Sequence, residues 1–388
     1  MIDWLEIQSS APGKFIICGE YSVIYDRQAI AASVDLRTKV RIVPYKDKVR
    51  LNLKDLGIIR EWPVTSLSTH RFVSKYTECL SYNDSMPGKL DHLLHPRYCV
   101  KSPELSTAST SGDEKLKDKK VTDATVAFLL LYMGLSDSFW KSFRVPISVE
   151  VESSIPVGSG LGSSSAYSVS LCGALMKVFR VSAEKYIISN WAFNIDKFFH
   201  GRPSGIDNNI VTMGGYILFQ SGKIKDNDVR HKSPIRVLLI DTKVSRSTRS
   251  SCDNIEQTLR DHPDKINTIL DAINSITVGA WRKIEDPEFK PRNIASLLQE
   301  NQAYLDKLGV GHKKLTEICK KARQYDLRAK LTGAGCGGVA FVLYCPDESC
   351  ENVERLKQDL LESGFLVHDH AVGCEGLKVS VIPDPNYK

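Results

Sequence analysis

The sequence predicts an α+β protein of two domains. Its 388 residues exceed what one ordinary hydrophobic core holds. Strand-like stretches followed by long apolar helices fill the first part, whereas strands and helices alternate in the second. Apolar residues make up 42% and charged residues 25%, as in ordinary globular proteins. The polar segment 221–234 is the expected boundary, and we divide the chain into domains 1–228 and 229–388.

The first domain is predicted to open with strands. Three stretches are short, rich in β-branched residues and separated by turn residues, at 23–34, 38–45 and 49–53. An antiparallel meander is the expected arrangement. Residues 102–124 are rich in Ser, Thr and Lys and have no apolar period, so we expect a mobile loop there.

Helices then dominate the first domain. A helix is predicted over 121–135, beginning at Thr122 or Asp123, and a strand over 143–153 runs into a glycine-rich loop. The next predicted helices are 162–179 and 182–199. The second of these places four apolar residues on one face, namely Ile187, Trp191, Ile195 and Phe198. A strand at 214–220 closes the domain.

The second domain alternates strands with helices. Strands are predicted at 236–243, 329–333, 339–345 and 377–383. Helices are predicted near 253–280, 291–307, 312–325 and 350–363. This arrangement is typical of an α+β layer domain.

Composition excludes several classes of protein. The longest apolar stretches, 126–135 and 339–345, are much shorter than the roughly 20 residues that a bilayer span needs. The N-terminus lacks a basic segment followed by an apolar run, so we expect a cytoplasmic protein without a membrane partner. A net charge of +6 argues against nucleic-acid binding and suits small anionic ligands. No CxxC pair is present to support a structural zinc site.

The glycine-rich loop at 156–168 is the strongest chemical signal. Gly158, Gly160 and Gly162 allow the backbone to approach a ligand, and the following helix directs its positive dipole end to the same point. Serines 163–165 stand at the helix start, where a hydroxyl can cap the helix, bind phosphate or ligate Mg²⁺. The pattern predicts a phosphate cradle, with a flexible turn and N-cap as the alternative.

A second glycine pattern leads to a different interpretation. Gly333, Gly335 and Gly338 form GxGxxG, but a strand follows at 339–345. Dinucleotide binding requires a helix there, so we set that function aside.

Three charged residues are further candidates. Asp207 follows a tight turn in HGRPSGIDN at 200–208, where it either faces a cleft or caps the next segment. Asp196 lies beside Ile195 near a helix end, so its partner is a metal cation or a basic side chain. Lys14, after Pro12-Gly13, either serves a phosphate or lies at the surface.

Five segments in order resemble the GHMP kinases. The segments SAPGK…GE at 10–20, 156–168 and KLTGAGCGG at 330–338 match the three motifs of that superfamily, and 200–208 with DTKVSRSTR at 241–249 resemble the mevalonate kinases. The resemblance spans about residues 8–340. It implies a two-domain GHMP kinase fold, with an N-terminal domain like ribosomal protein S5 domain 2 and a ferredoxin-like C-terminal domain. The implied reaction is ATP-dependent phosphorylation of the 5-hydroxyl of mevalonate.

The resemblance also implies roles for individual residues. Asp207 is the implied catalytic base, beside Lys14, and Ser164 with Asp196 are the implied Mg²⁺ ligands. The residues implied to bind ATP are Lys14, Asp55, Ser153, Gly158, Ser159, Gly160, Leu161, Gly162, Ser163 and Ser164. Those implied to lie near mevalonate are Glu20, Tyr21, Thr248 and Ala334, and Arg246 or Arg249 is the expected partner of its carboxylate.

Four positions depart from the family pattern. Asp196 is one methylene shorter than the usual Glu, so it is expected to reach the metal either directly or through water. Tyr21 stands where His is usual, Cys336 replaces a glycine, and Ser165 replaces an alanine.

The family further implies a homodimer and feedback inhibition by isoprenoid diphosphates. Rival functions are a phosphomevalonate or homoserine kinase, a diphosphomevalonate decarboxylase, and a non-catalytic binding protein. Segments 200–208 and 241–249 argue against the rival enzymes. Intact Lys14, Ser164 and Asp207 argue against a non-catalytic protein.

Overall fold

A computed structural model describes residues 4–68, 99–101, 111–140, 144–182, 184–200, 203–244 and 257–384. Within them the strands form a nine-stranded and a four-stranded sheet. Three residues of the expected substrate site fall outside the described residues, namely Arg246, Thr248 and Arg249.

The large sheet contains strands from both ends of the chain. Its strands are β1 (Trp4–Cys18), β2 (Ala29–Pro44), β3 (Lys48–Leu53), β4 (Ile58–Pro63), β5 (Cys99–Lys101), β6 (Ile147–Ser153), β7 (Tyr216–Gln220), β8 (Lys223–Asp226) and β13 (Lys378–Pro383). The order is β13-β1-β2-β6-β3-β4-β5, with β7 also on β2 and β8 on β7. The last strand therefore returns to the first sheet, where Ser380 lies opposite Gln8.

The small sheet is antiparallel throughout. It contains β9 (Arg236–Asp241), β10 (Ala329–Leu331), β11 (Val339–Tyr344) and β12 (Leu366–Ala371), in the order β10-β11-β9-β12. Since β11 follows the GxGxxG segment directly, the strand predicted there is confirmed.

The described helices are α1 (Val64–Ser68), α2 (Ser111–Trp140), α3 (Ser163–Val178), α4 (Lys185–His200), α5 (Ile206–Met213), α6 (Pro263–Ile284), α7 (Ala295–Lys307), α8 (Lys313–Gln324) and α9 (Pro346–Glu362). Short 3₁₀ turns occur at Ser22–Tyr25, Lys54–Leu56 and Pro291–Ile294. The first core lies between the large sheet and α2 to α5, and it continues onto parts of α6 and α7 and one face of β9 and β11. The second core lies between the other face of the small sheet and α6 to α9.

The predicted meander is wrong in two respects. Strand β6 lies between β2 and β3 and runs parallel to β3, with Leu51 opposite Val149. Propensity identifies strands but does not choose their neighbours, which the packing of both faces decides. The predicted strand 23–34 also starts late, at Ala29, because Asp26 adopts a left-handed φ of 62° after the 3₁₀ turn.

The loop predicted over 102–124 is wrong from Ser111 onward, where α2 begins. Glu, Lys and Leu are strong helix formers, so this charged stretch extends the helix although it has no apolar period. Its apolar turns, from Val121 onward, are buried. Residues 102–110 lie outside the described part of the chain.

The predicted apolar face of α4 is partly confirmed. Ile195 is buried, and Ile187 and Trp191 pack half-buried against the first core. The side chain of Phe198 is not among those that the structure describes.

Candidate active site

The glycine-rich loop connects β6 to α3, as predicted. Gly162 precedes the first residue of α3 with a φ of 79°, a conformation that favours glycine. A methyl group added there would lie 2.8 Å from Lys14 Cγ, so a side chain has no room. The loop therefore packs directly on Lys14, and the N-terminus of α3 opens beside it. Backbone N–H groups at a helix N-terminus favour anions, and the Lys14 side chain adds positive charge beside them.

Ser159 stabilises the loop internally. Its hydroxyl donates to Pro156 O at 2.7 Å and accepts from Leu161 N–H at 3.4 Å. Because this hydroxyl is used by the loop itself, Ser159 can offer its backbone more readily than its side chain to a phosphate.

Lys14 joins β1, the loop and α5. Its backbone N–H donates to Leu161 O at 2.9 Å, and its Nζ lies 2.8 Å from Asp207 Oδ1. The register of β1 against β2 shifts between Pro12 and Gly13, immediately before the lysine. This irregularity re-aims the strand.

Asp207 lies in the first turn of α5. The N-cap position is occupied by Gly205 and Asp207 is the second residue of the helix, which argues against the alternative that Asp207 acts as the N-cap. The next residue, Asn208, is buried and donates to Ser189 O and Oγ at 3.1 and 2.8 Å. Since Ser189 is on α4, these bonds fix α5, and with it Asp207, against that helix.

Asp196 on α4 is buried beside the N-terminus of α3. Ser165 Oγ donates to its Oδ2 at 2.7 Å, and its Oδ1 has no hydrogen-bond partner among the described residues. Burial raises the pKa of Asp196 to about 7; the charge of Asp207 adds to this rise, while Ser165 and Lys14 oppose it. From the sequence, Ser165 is notable only because it replaces an alanine of the family pattern. Its contact with Asp196 depends on how α3 packs against α4.

A seam between the two sheets follows Lys14 along the chain. We define it as residues 16–21 with residues 330–334. Thr332 Oγ1 accepts from Ile16 N–H at 2.8 Å and donates to Ile16 O at 3.1 Å. Tyr21 Oη donates to Ala334 O, and Lys330 donates to Glu20 Oε1.

The seam brings together the described residues that were expected near the substrate. Glu20, Tyr21 and Ala334 are all buried there. Lys330 was not singled out from the sequence. A lysine inside the short, otherwise apolar strand AKL is the signal that could have identified it.

Cys336 stands close to the seam with an unusual backbone. Its φ is 54°, in the left-handed region, and its N–H donates to Val310 O at 2.7 Å. A residue other than glycine in this conformation costs about 1–2 kcal/mol.

Asp55 and Ser153 lie together before the loop. Asp55 Oδ2 accepts from Ser153 N–H at 2.6 Å, and Ser153 Oγ is 2.8 Å from Thr38 Oγ1. Both groups thus form hydrogen bonds within the protein at the end of β6.

No helix in the described ranges combines the length and apolar character that crossing a bilayer requires.

Comparisons with known proteins identify the family and the fold. The family model for the GHMP kinases N terminal domain matches residues 125–215, and that for the GHMP kinases C terminal matches residues 288–365. Mevalonate kinase of Bos taurus is 32% identical over 398 residues, covering 95% of this chain and 94% of that protein.

Solved structures are similar over nearly the whole chain. The Methanococcus jannaschii mevalonate kinase has a TM-score of 0.71 at 18% identity, covering 95% of this chain and 98% of its own. The L. major mevalonate kinase in complex with R-mevalonate has a TM-score of 0.68 at 18% identity, covering 95% and 96%. The predicted two-domain GHMP kinase fold is confirmed.

Proposed function

This chain belongs to the mevalonate kinase family of GHMP kinases, and we propose that it transfers the γ-phosphoryl group of ATP to the 5-hydroxyl of mevalonate. The observation that carries the proposal is the Lys14–Asp207 pair, with 2.8 Å between Nζ and Oδ1, directly against the glycine-rich loop. A carboxylate, an ammonium group and a phosphate cradle in contact are the parts that phosphoryl transfer needs.

Each of these parts has a separate role in the proposed mechanism. The N–H groups of residues 158–164 and the N-terminus of α3 bind the phosphates of ATP, and Lys14 neutralises charge on them. Asp207, with 38% of its side chain exposed, accepts the proton of the attacking hydroxyl. Lys14 keeps the Asp207 carboxylate oriented through their ion pair. Asp55 and Ser153 are proposed at the outer part of the nucleotide.

Mg²⁺ is part of the proposal, and the residues fit it. A buried carboxylate oxygen without a hydrogen-bond partner among the described residues, Asp196 Oδ1, is a hard donor of the kind Mg²⁺ prefers. Asp196 and the Ser164 hydroxyl would hold the ion, which neutralises phosphate charge when bound. A single protein carboxylate is enough, since Mg²⁺ usually takes its remaining ligands from phosphates and water.

The acceptor is proposed to bind at the seam. Glu20, Tyr21 and Ala334 lie there, and Thr248 with Arg246 or Arg249 is proposed to complete the site from outside the described residues. A cytoplasmic homodimer and feedback inhibition by isoprenoid diphosphates are further proposals that rest on the family resemblance alone.

A coupled ATP assay tests the function. Purified protein is assayed with mevalonate, phosphomevalonate, homoserine and galactose, with the Asp207→Asn variant as a control for contaminating kinases. We expect turnover with mevalonate far above the others, and its loss in the variant. Preference for any other acceptor, or equal turnover by the variant, would overturn the proposal.

A further inference from the structure

A buried ion pair joins the two sheets within the seam. Lys330 on β10 donates to Glu20 Oε1, and the two side chains are 0% and 1% exposed. Lys330 Nζ also donates to Leu331 O at 2.9 Å and lies 5.6 Å from the ring centroid of Phe341. The ammonium group is thus held by a carboxylate, a carbonyl and an aromatic face, which leaves it little freedom to move.

The second oxygen of the same carboxylate is in a different situation. Glu20 Oε2 is buried and accepts no hydrogen bond from the described residues. A buried carboxylate oxygen without a donor is costly, so it marks a place where a ligand donor would be favourable.

Glu20 also interacts electrostatically with Lys14 of the proposed catalytic pair. Burial raises its pKa, the neighbouring Lys330 counteracts that rise most strongly, and Lys14 is near enough to lower it further. Tyr21 and Ala334, joined by a hydrogen bond, are the adjoining part of the same seam.

We propose that Lys330 is a positioning residue for the acceptor substrate: it holds Glu20 so that Oε2 accepts a hydrogen bond from a hydroxyl group of the bound acceptor. Lys330 itself does not touch the acceptor. The inference rests on the proposed function, because that function supplies a hydroxyl-bearing acceptor at the seam.

Three variants test this role, namely Lys330→Met, Glu20→Gln and the double variant Glu20→Gln/Lys330→Met. The measurements are kcat, the KM values for mevalonate and ATP, and calorimetric binding of mevalonate without nucleotide. Because a hydrogen bond to a charged group is lost or misdirected, Lys330→Met should weaken mevalonate binding by about tenfold or more. The KM for ATP should stay within about twofold, since Lys330 lies outside the phosphate loop. A purely structural role would not separate the two substrates in this way.

The double variant controls for the loss of stability that Lys330→Met alone would cause. Lys330→Met alone leaves an unpaired buried carboxylate, which destabilises strongly, whereas the double variant removes both charges. If Lys330 acts only through the Glu20 carboxylate, the double variant should bind mevalonate within about twofold of Glu20→Gln. Lys321→Met, which breaks the 2.6 Å ion pair with Asp359 between α8 and α9, is the matched control and should leave mevalonate binding unchanged.

Two results would overturn the role of Lys330: a folded Lys330→Met variant with parental affinity for mevalonate, or a double variant much weaker than Glu20→Gln. Failure of the proposed function looks different, because the parent enzyme would then prefer another acceptor. The same comparison of variants would in that case be made with that acceptor.

Discussion

Lys14 Nζ and Asp207 Oδ1 lie 2.8 Å apart, although their residues belong to different elements and differ strongly in exposure. The lysine side chain is 4% exposed and the aspartate 38%. The buried member is held by the strand and the loop, and the more exposed member is the one that we propose meets the acceptor. The pair therefore combines a fixed positive charge with an accessible proton acceptor.

Replacing Asp207 tests the proton acceptor. Asp207→Asn keeps the shape and removes the charge, so turnover should fall by about 10²–10⁴-fold, the usual contribution of a general base. Binding of a fluorescent ATP analogue should stay near normal, because the proposed base contacts the hydroxyl and not the nucleotide. The exposed Asp228 provides a control, Asp228→Asn, that should change neither. Turnover of Asp207→Asn within about tenfold of the parent would contradict the role.

Replacing Lys14 tests phosphate neutralisation. Lys14→Met retains most of the packing against Gly162 and removes the charge, so we expect a large loss of turnover and weaker ATP binding. Turnover per folded molecule and the thermal midpoint are measured together. Lys14 would be structural if the thermal midpoint collapsed while the remaining folded enzyme kept full turnover.

The Asp196–Ser165 hydrogen bond leads to a prediction about Mg²⁺. Asp196→Ala should raise the Mg²⁺ concentration needed for half-maximal turnover, while Asp196→Glu should keep substantial activity, since it retains the carboxylate. Ser165→Ala should raise the Mg²⁺ requirement less, because it frees Oδ2 but removes no carboxylate. Mn²⁺ binding in the presence of ATP, followed by electron paramagnetic resonance, provides a readout independent of turnover. Identical metal titrations for the parent and Asp196→Ala would exclude the site.

His231 makes stability depend on pH. Its Nε2 lies 2.7 Å from Ile284 O, and its ring packs between Tyr216 and Phe289, at centroid distances of 4.9 and 5.0 Å. Burial lowers the pKa of His231, so the folded protein binds the proton less well than the unfolded chain. Stability from this group is therefore complete above the unfolded pKa of about 6.5 and falls as the pH drops below it.

Urea unfolding at several pH values between 8 and 5 measures this effect. His231→Gln should flatten the fall in the free energy of unfolding, because the variant has no group to protonate there. His262→Gln, at an exposed position before α6, should keep the parental slope. A parental slope in His231→Gln would show that other groups cause the acid sensitivity.

Sequence reasoning succeeded where the information is local. The loop of residues 156–168 and the helix after it are specified by glycines, hydroxyl residues and an apolar run that are contiguous in the chain. The strand after Gly338 was predicted for the same reason. It failed at the start of α2, where helix propensity outweighed the missing apolar period.

The sequence by itself determined the glycine-rich loop, most elements and, through five motifs in order, the family. Only the tertiary structure decided that β6 separates β2 from β3, that Ser165 binds Asp196, and that Lys330 reaches Glu20 across 310 positions of the chain. Backbone preferences and periodicity are properties of neighbouring residues, so they can be read along the chain. Which strand lies beside which, and which buried charge meets which partner, depends on packing between distant segments, because burial leaves a charged group only the partners that the completed fold brings within reach.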